Sequence, residues 1–227
     1  MTTDSATFLF ADLAGFTALT EAHGDEQAAD LVGEFSDKVR ELVGDAGSLI
    51  KTIGDAVMAR FPEAADAIAA GARIATELGR GHGAPAVRVG MHHGPAVERG
   101  GDWFGGTVNV AARVAALASA GEVLLTEATL RAAGELNHVR FARHGTHRLR
   151  NLAEPIDVLR VVPANGLDTP LEIDPVCRMA VDPAHAAGRL HHEGREYLFC
   201  SLGCAGRFAA DPVRYVGDAT RRLSDRP

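Results

Sequence analysis

No cysteine occurs before Cys177 in this 227-residue chain, and the three present (Cys177, Cys200 and Cys204) lie near the C-terminus. An odd, clustered count argues against a disulfide framework and points to metal or redox chemistry. Long apolar runs are missing as well, for none approaches the roughly 20 residues of a membrane-crossing helix. The segment MTTDSATFLFADL has neither a basic n-region nor a cleavage site, so a soluble, cytoplasmic protein without a membrane partner is expected. Positive charge is also short. The formal net charge of −7 argues against a nucleic-acid-binding surface, because phosphate backbones select basic patches. A nucleotide can still bind, since metal ions and a few local cations neutralise it. There is no internal repeat and no low-complexity tract. Hydrophobic residues make up 46% of the chain, enough for one sizeable core and a small extra module.

ATFLFADL reads as a buried strand ending on Asp12, after which Gly15 and Thr17 break the strand and open a helical region. Within it, Ala28, Leu31, Val32, Phe35, Val39 and Leu42 fall at helical spacing with charges opposite. SLIKTI and AVMARF are short strands joined at Gly54-Asp55, a hairpin signal. Pro62 is placed to open the next helix, where its missing N–H costs little. AVRVGMHHGPAVE reads as a strand pair, followed by the glycine-rich GGDWFGG. TVNVAARVAALASA is a third helix, GEVLLTE another strand, and HVRFARHGTHRL and PIDVLRVVP close the series. Strands alternating with helices around one hairpin predict an α/β (α+β) sandwich with helices over a mixed sheet. The expected boundaries are a first domain over 1–163, a linker over 164–172, a small second domain over 173–217 and a disordered tail over 218–227.

Six polar residues stand in otherwise apolar segments: Asp12, Lys51, Asp55, Asp102, Asn109 and Arg113. Singly, each has a bland reading as a turn cap, a turn or surface decoration. Their combination is more pointed. Asp12 and Asp55 both end apolar segments, where a charge is costly unless paired. If the two strand ends are neighbours, their carboxylates can bridge two Mg²⁺ ions roughly 3.5–4 Å apart. Asn109 and Arg113 are four residues apart, hence on one helix face, and can meet a sugar and a phosphate. Lys51 and Asp102 make a donor and an acceptor suited to a purine edge. Phosphoryl transfer asks a protein for alignment and charge stabilisation rather than covalent chemistry. No His or Glu stands out as a general base, so a hydroxyl acidified by metal is the simplest assumption. His92 and His93 adjoin a strand, where at most one can face the core. Trp103 and Phe104 suit a subunit interface better than a base stack.

FLFADLAGFT, IKTIGDAVMARF and DWFGGTVNVAARV closely resemble the three signature segments of class III nucleotidyl cyclases, and GTHRLRNLAEPIDVLRV is similar to that domain's closing strands. The resemblance covers about residues 5–162. It implies a ferredoxin-like cyclase homology domain acting as a homodimer, with active sites in the cleft between subunits. Carried over, it gives Asp12, Asp55 and the Leu13 carbonyl as ligands of two Mg²⁺ or Mn²⁺ ions. Lys51 and Asp102 match the pair that reads the base, Asn109 the residue that positions the ribose, and Arg113 the one that stabilises the transferring phosphate. The metal aspartates would come from one subunit and the other four residues from its partner. The implied reaction is conversion of ATP to 3′,5′-cyclic AMP and pyrophosphate. Adenine's N1 acceptor and N6 donor suit Lys51 and Asp102, whereas guanine reverses the pattern and leaves groups mismatched. The Glu and Cys that mark guanylyl cyclases at these positions are absent.

In the C-terminal region the thiols follow C-x22-C-x3-C, and Cys200 and Cys204 would share a face if Ser201 opens a helix. Three thiols gathered by a short hairpin suit Zn²⁺ or Cu(I); three buried, unliganded cysteines are the plainer alternative. DPVCRMAVDP with GREYLFCSLGCAGRFAADPVRY resembles the YHS module, related to TRASH-type metal-binding domains, over about 173–216. That family usually has Gly where this chain has Arg178. His185, His191 and His192 are the candidate fourth ligands. A core of about 45 residues is thin, so a metal would help it fold. The whole reads as a homodimeric adenylate cyclase in cyclic-nucleotide signalling, with the metal-binding module as a candidate regulator. Guanylate cyclase activity and a catalytically silent, metal-responsive binding protein stay open as rivals.

Overall fold

The structure is a computed structural model that describes residues 3–79, 83–137, 139–150, 152, 154–162 and 172–216. The expected tail, and all of the expected linker except Glu172, lie outside them.

The chain starts on the central strand β1 (Thr3–Leu13), whose alternate residues face opposite ways. Both faces are buried, because helices cover both. Leu9, Ala11 and Leu13 face one core with Phe35 and Val39 of α2 (Asp25–Val43) and Ile68 and Ile74 of α3 (Ala64–Glu77). Phe8 and Phe10 face another with Ala111 and Ala115 of α4 (Gly106–Leu117). A short helix, α1 (Phe16–His23), precedes α2. Gly15, at φ 83°, provides the left-handed turn between β1 and α1. The hairpin of β2 (Ser48–Ile53) and β3 (Ala56–Phe61) turns at Gly54-Asp55 as expected. Helix α3 begins two residues after Pro62 rather than on it.

The main difference from the sequence reading is β4 (Val87–Arg99), one 13-residue strand instead of a pair. It pairs antiparallel with β1 along that strand's whole length, Val87 with Leu13 through Val97 with Thr3. Gly94-Pro95 makes no turn there. It docks the start of α4: the Thr107 hydroxyl donates to the Pro95 carbonyl at 2.6 Å, and a Cβ on Gly94 would crowd that hydroxyl at 2.8 Å. Gly90 marks an even closer approach, since a Cβ there would lie 2.0 Å from the Ala115 nitrogen. The turn at Gly100-Gly101 leads into β5 (Asp102–Phe104), which pairs back onto β4.

The order β2-β3-β1-β4 is the antiparallel sheet of a ferredoxin-like fold. It is extended by β6 (Val123–Thr126), parallel to β4, then by β8 (Ile156–Val162) and β7 (Arg140–His147). A short helix, α5 (Glu127–Ala133), was not expected; the Thr126 side chain caps it by accepting from the Thr129 N–H. Among the described residues no helix is long and apolar enough to cross a membrane.

The C-terminal module is the hairpin of β9 (Gly188–His192) and β10 (Arg195–Phe199) followed by α6 (Leu202–Ala210). Its core is not its own. Phe199, Phe208, Tyr197, Val176 and Met179 pack with Leu19 of α1 and Ala28 of α2, and Phe16 touches both this cluster and the main core. Full burial of each such large side chain is worth about 1.5–3 kcal/mol, so α1 and α2 supply stability that a unit this small lacks. Backbone bonds reinforce the join: Ala180 N–H donates to the Ala84 carbonyl and Gly83 N–H to the Ala180 carbonyl, both at 2.9 Å.

Candidate active site

Asp12 and Asp55 are neighbours. Asp12 stands opposite Ala56 in the β1–β3 register, and the Leu13 N–H reaches back to the Asp55 carbonyl at 3.4 Å. The Leu13 side chain is buried, so only its backbone is offered here. Arg88, the cross-strand partner of Asp12 on β4, donates its Nε and Nη2 to Asp12 Oδ2. The other oxygen, Oδ1, is buried without a hydrogen-bond partner. Burial pushes the Asp12 carboxyl up to about 6; Arg88 opposes the rise and nearby Asp55 adds to it. A half-satisfied carboxylate beside a second carboxylate gains from a cation. On that ground these residues fit a divalent metal site. Sequence reasoning missed Arg88, whose only signal is its place one strand over from Asp12.

Lys51 on β2 and Asp102 at the start of β5 form an ion pair, Nζ to Oδ2 at 2.5 Å. The hydrogen bond from Lys51 holds the Asp102 carboxyl below its ordinary range. Asp102 Oδ1 also accepts from the Trp103 N–H at 2.8 Å. Phe104 lies under Lys51, 5.7 Å from Nζ to the ring centre. Phe104 and Ile53, near the pair, are each 50% exposed. Trp103 is instead partly buried, tilted against Phe8 and covered by the Arg60 guanidinium.

Asn109 and Arg113 lie one turn apart on α4, Asn109 exposed and Arg113 half-buried. Among the described residues neither side chain makes a hydrogen bond or ion pair. No such bond links the Asp12–Asp55 pair to the Lys51–Asp102 pair either. Both histidines of MHHGP are tied into the scaffold: His92 Nδ1 meets the Thr126 hydroxyl at 2.7 Å and His93 Nδ1 the Thr7 hydroxyl at 3.0 Å. Burial pushes the His92 imidazole down to about 4. A cleft of about 350 Å³ borders the loop after Asp12, lined by Ala14, Gly15, Arg88, Arg178, Arg214 and Tyr215.

The three thiols converge. Ser201 caps α6 by accepting from the Cys204 N–H, which sets Cys204 one turn beyond Cys200. Buried Asp174 ties down the other loop, accepting from the Val176 and Cys177 N–H groups and, through its second oxygen, from the Cys200 N–H. Sulfur separations are 3.4 Å for Cys177–Cys200 and 3.9 Å for Cys200–Cys204, and all three cysteines are free. Hydrogen bonds from Cys177 and Cys200 push the Cys204 thiol far down, whereas hydrogen bonds with Cys200 and Cys204 push the Cys177 thiol up. The expected histidines are elsewhere: His185 pairs with Asp182, and His191 and His192 approach Glu196 and Glu193. The imidazole at the thiols is that of His23, on α1. Arg178 holds a left-handed conformation (φ 67°), which accounts for a glycine preference there, and its stem packs onto Gly15.

Comparison with known proteins places these features. The family model described as the adenylate and guanylate cyclase catalytic domain matches residues 1–156, and that of the YHS domain matches 173–219. A pH-sensitive adenylate cyclase of Mycobacterium tuberculosis is 36% identical over 158 residues, covering 68% of this chain and 40% of its own length. An adenylate cyclase of Streptomyces griseus is 38% identical over 117 residues, covering 51% and 29%. The chain thus spans less than half the length of either relative. The crystal structure of an adenylate/guanylate cyclase/hydrolase from Silicibacter pomeroyi superposes with a TM-score of 0.60 at 27% identity, covering 72% of this chain and 99% of that one.

Proposed function

Because the chain belongs to the adenylate and guanylate cyclase catalytic domain family, we propose that it converts ATP to 3′,5′-cyclic AMP and pyrophosphate as a homodimer. The observation that carries the choice of base is the contact between Lys51 and Asp102. Lys51 donates to adenine N1, and Asp102, held ionised, accepts from the N6 amino group. Guanine would set its O6 and N1–H against the wrong partners, which is the costly kind of mismatch.

Asp12, Asp55 and the Leu13 carbonyl hold divalent cations, Mg²⁺ or Mn²⁺, which supply charge neutralisation and an acidified 3′-hydroxyl when bound. Arg88 fixes the Asp12 carboxylate through Oδ2 and leaves Oδ1 without a hydrogen-bond partner, so that this oxygen would be available to a cation. Asn109 orients the ribose. Arg113, one turn later, meets the charge that gathers on the α-phosphate as pyrophosphate leaves. Support for a dimer comes from the same geometry. Among the described residues no hydrogen bond or ion pair joins the aspartate pair to the Lys51–Asp102 pair, and the exposed Phe104 and Ile53 offer apolar surface beside the second pair. Soft-metal binding to the C-terminal thiols is the regulatory input in this reading.

The test is product analysis of the purified chain with ATP and with GTP, with and without Mn²⁺. Cyclic AMP as the main product supports the reading. Preferential cyclic GTP product would make it a guanylate cyclase, and no turnover with either nucleotide would leave a metal-responsive binding protein.

A further inference from the structure

The thiol cluster of the C-terminal module is closed on its fourth side by a residue of the other domain. His23 ends α1, is half-buried, and turns its Nε2 toward Cys200 Sγ at 4.0 Å. One ligand atom from each of His23, Cys177, Cys200 and Cys204 lies within 4.8 Å of every other. A tetrahedral zinc ion, with bonds of about 2.3 Å to sulfur and about 2.0 Å to nitrogen, sets its ligands roughly 3.5–3.8 Å apart. The separations of 3.4, 3.9 and 4.0 Å, for three of the six ligand pairs, bracket that spacing. Three thiolates and one imidazole are a common donor set of structural zinc, whereas Cu(I) is served by thiolates alone.

We propose that His23 completes a Cys₃His site for Zn²⁺ with Cys177, Cys200 and Cys204, so that the ion cross-links the C-terminal module to α1 of the cyclase domain. The surroundings suit such a site. Asp174 fixes the backbone of both cysteine loops, and the shared core of Leu19, Ala28, Phe199 and Phe208 brings α1 to the cluster. Two residues before His23, Arg207 donates to the Glu21 carbonyl at 2.9 Å and Arg214 reaches the Glu21 carboxylate at 3.3 Å. The C-terminal end of α1 is therefore tied to the module at Glu21 as well as at His23. A helix of eight residues is about 12 Å long, and its other end starts beside Gly15, in the loop that follows Asp12. The ligand assignment does not depend on the catalytic reading.

The full chain is prepared under reducing conditions as wild type, His23→Ala, His23→Cys and the Cys200→Ser, Cys204→Ser double variant. Zinc content is measured by elemental mass spectrometry, Co²⁺ is used as a spectroscopic probe, and amide exchange of α1 is followed with and without Zn²⁺. Wild type is expected to bind one equivalent, give the absorption of tetrahedral S₃N cobalt, and gain protection across Phe16–His23 on adding zinc. His23→Ala should lose the nitrogen signature, lose the gain in protection, and bind at least ~10–100-fold more weakly, the loss seen when groups that merely orient a ligand are removed. His23→Cys should restore tight binding with an S₄ spectrum, which separates loss of a ligand from loss of fold. Equal affinity and identical cobalt spectra in wild type and His23→Ala would overturn the proposal. So would Cu(I) binding indifferent to His23, or failure to take up any thiophilic metal.

Discussion

Lys51 and Asp102 pair across 2.5 Å between β2 and β5, although 51 positions separate them in the sequence. The pair presents a donor and an acceptor side by side, each with the other as its resting partner. Changing Lys51 to Glu together with Asp102 to Cys reverses that pattern. Expected is a loss of ATP preference, read as the ATP-to-GTP ratio of kcat/KM. An unchanged ratio would show that these two residues do not read the base.

Asp12→Ala and Arg113→Ala should each be inactive as homodimers. Arg113→Ala is expected to lower kcat about 10²–10³-fold, the range for removal of one charge-stabilising donor. Mixed together they should recover activity, because one site of each heterodimer would then be fully wild type. Subunit exchange is checked by native mass spectrometry; confirmed exchange with no recovered turnover would place all six residues in one chain's site.

Most of this architecture is legible in the sequence because its signals are local. The apolar run of ATFLFADL, the Gly54-Asp55 turn and the 3.6-residue stripe of α2 each lie within a few residues. What the sequence reading lacks depends on distant partners. Gly94-Pro95 looks like a break in β4, yet β1 pairs along the strand and Thr107 fills the notch. His23 reads as an ordinary histidine at a helix end, because the thiols it faces stand in another domain. Arg88 reads as one residue of a strand, and only the register beside Asp12 gives it a role. Helix α5 is short, and its cap at Thr126 is hidden by the apolar run before it.

Gly90 should tolerate no side chain. A Cβ there falls 2.0 Å from the Ala115 nitrogen, a backbone atom that cannot swing aside. Gly90→Ala is therefore expected to push α4 off the sheet and cost at least about 1–3 kcal/mol, as overpacking does. Urea melts monitored by circular dichroism measure it, and an unshifted midpoint would refute the close packing.

His92 makes stability fall with acid. Its imidazole is held near 4, well below the ordinary 6.5, because burial disfavours the cation. The unfolded chain binds that proton first as pH drops, so stability present above pH 6.5 is lost progressively down to about pH 4. The loss is on the order of 3 kcal/mol, at about 1.4 kcal/mol per unit. His92→Gln, which cannot take up the proton, should flatten the midpoint-versus-pH curve in that window; an equally steep curve would assign the acid sensitivity elsewhere.

Phe16, Leu19 and Ala28 belong to a core shared with the C-terminal module, and this bears on how such a chain can be cut, swapped or inherited. A catalytic fragment freed of the module would present an oily scar on α1 and α2, inviting aggregation or borrowed partners. Transplanting the module onto another cyclase would fail unless that face of the recipient were re-tailored to receive Phe199 and Phe208. The two halves are therefore tied to vary together: a substitution on one bank of the seam selects for its complement on the other, as between subunits of an obligate complex.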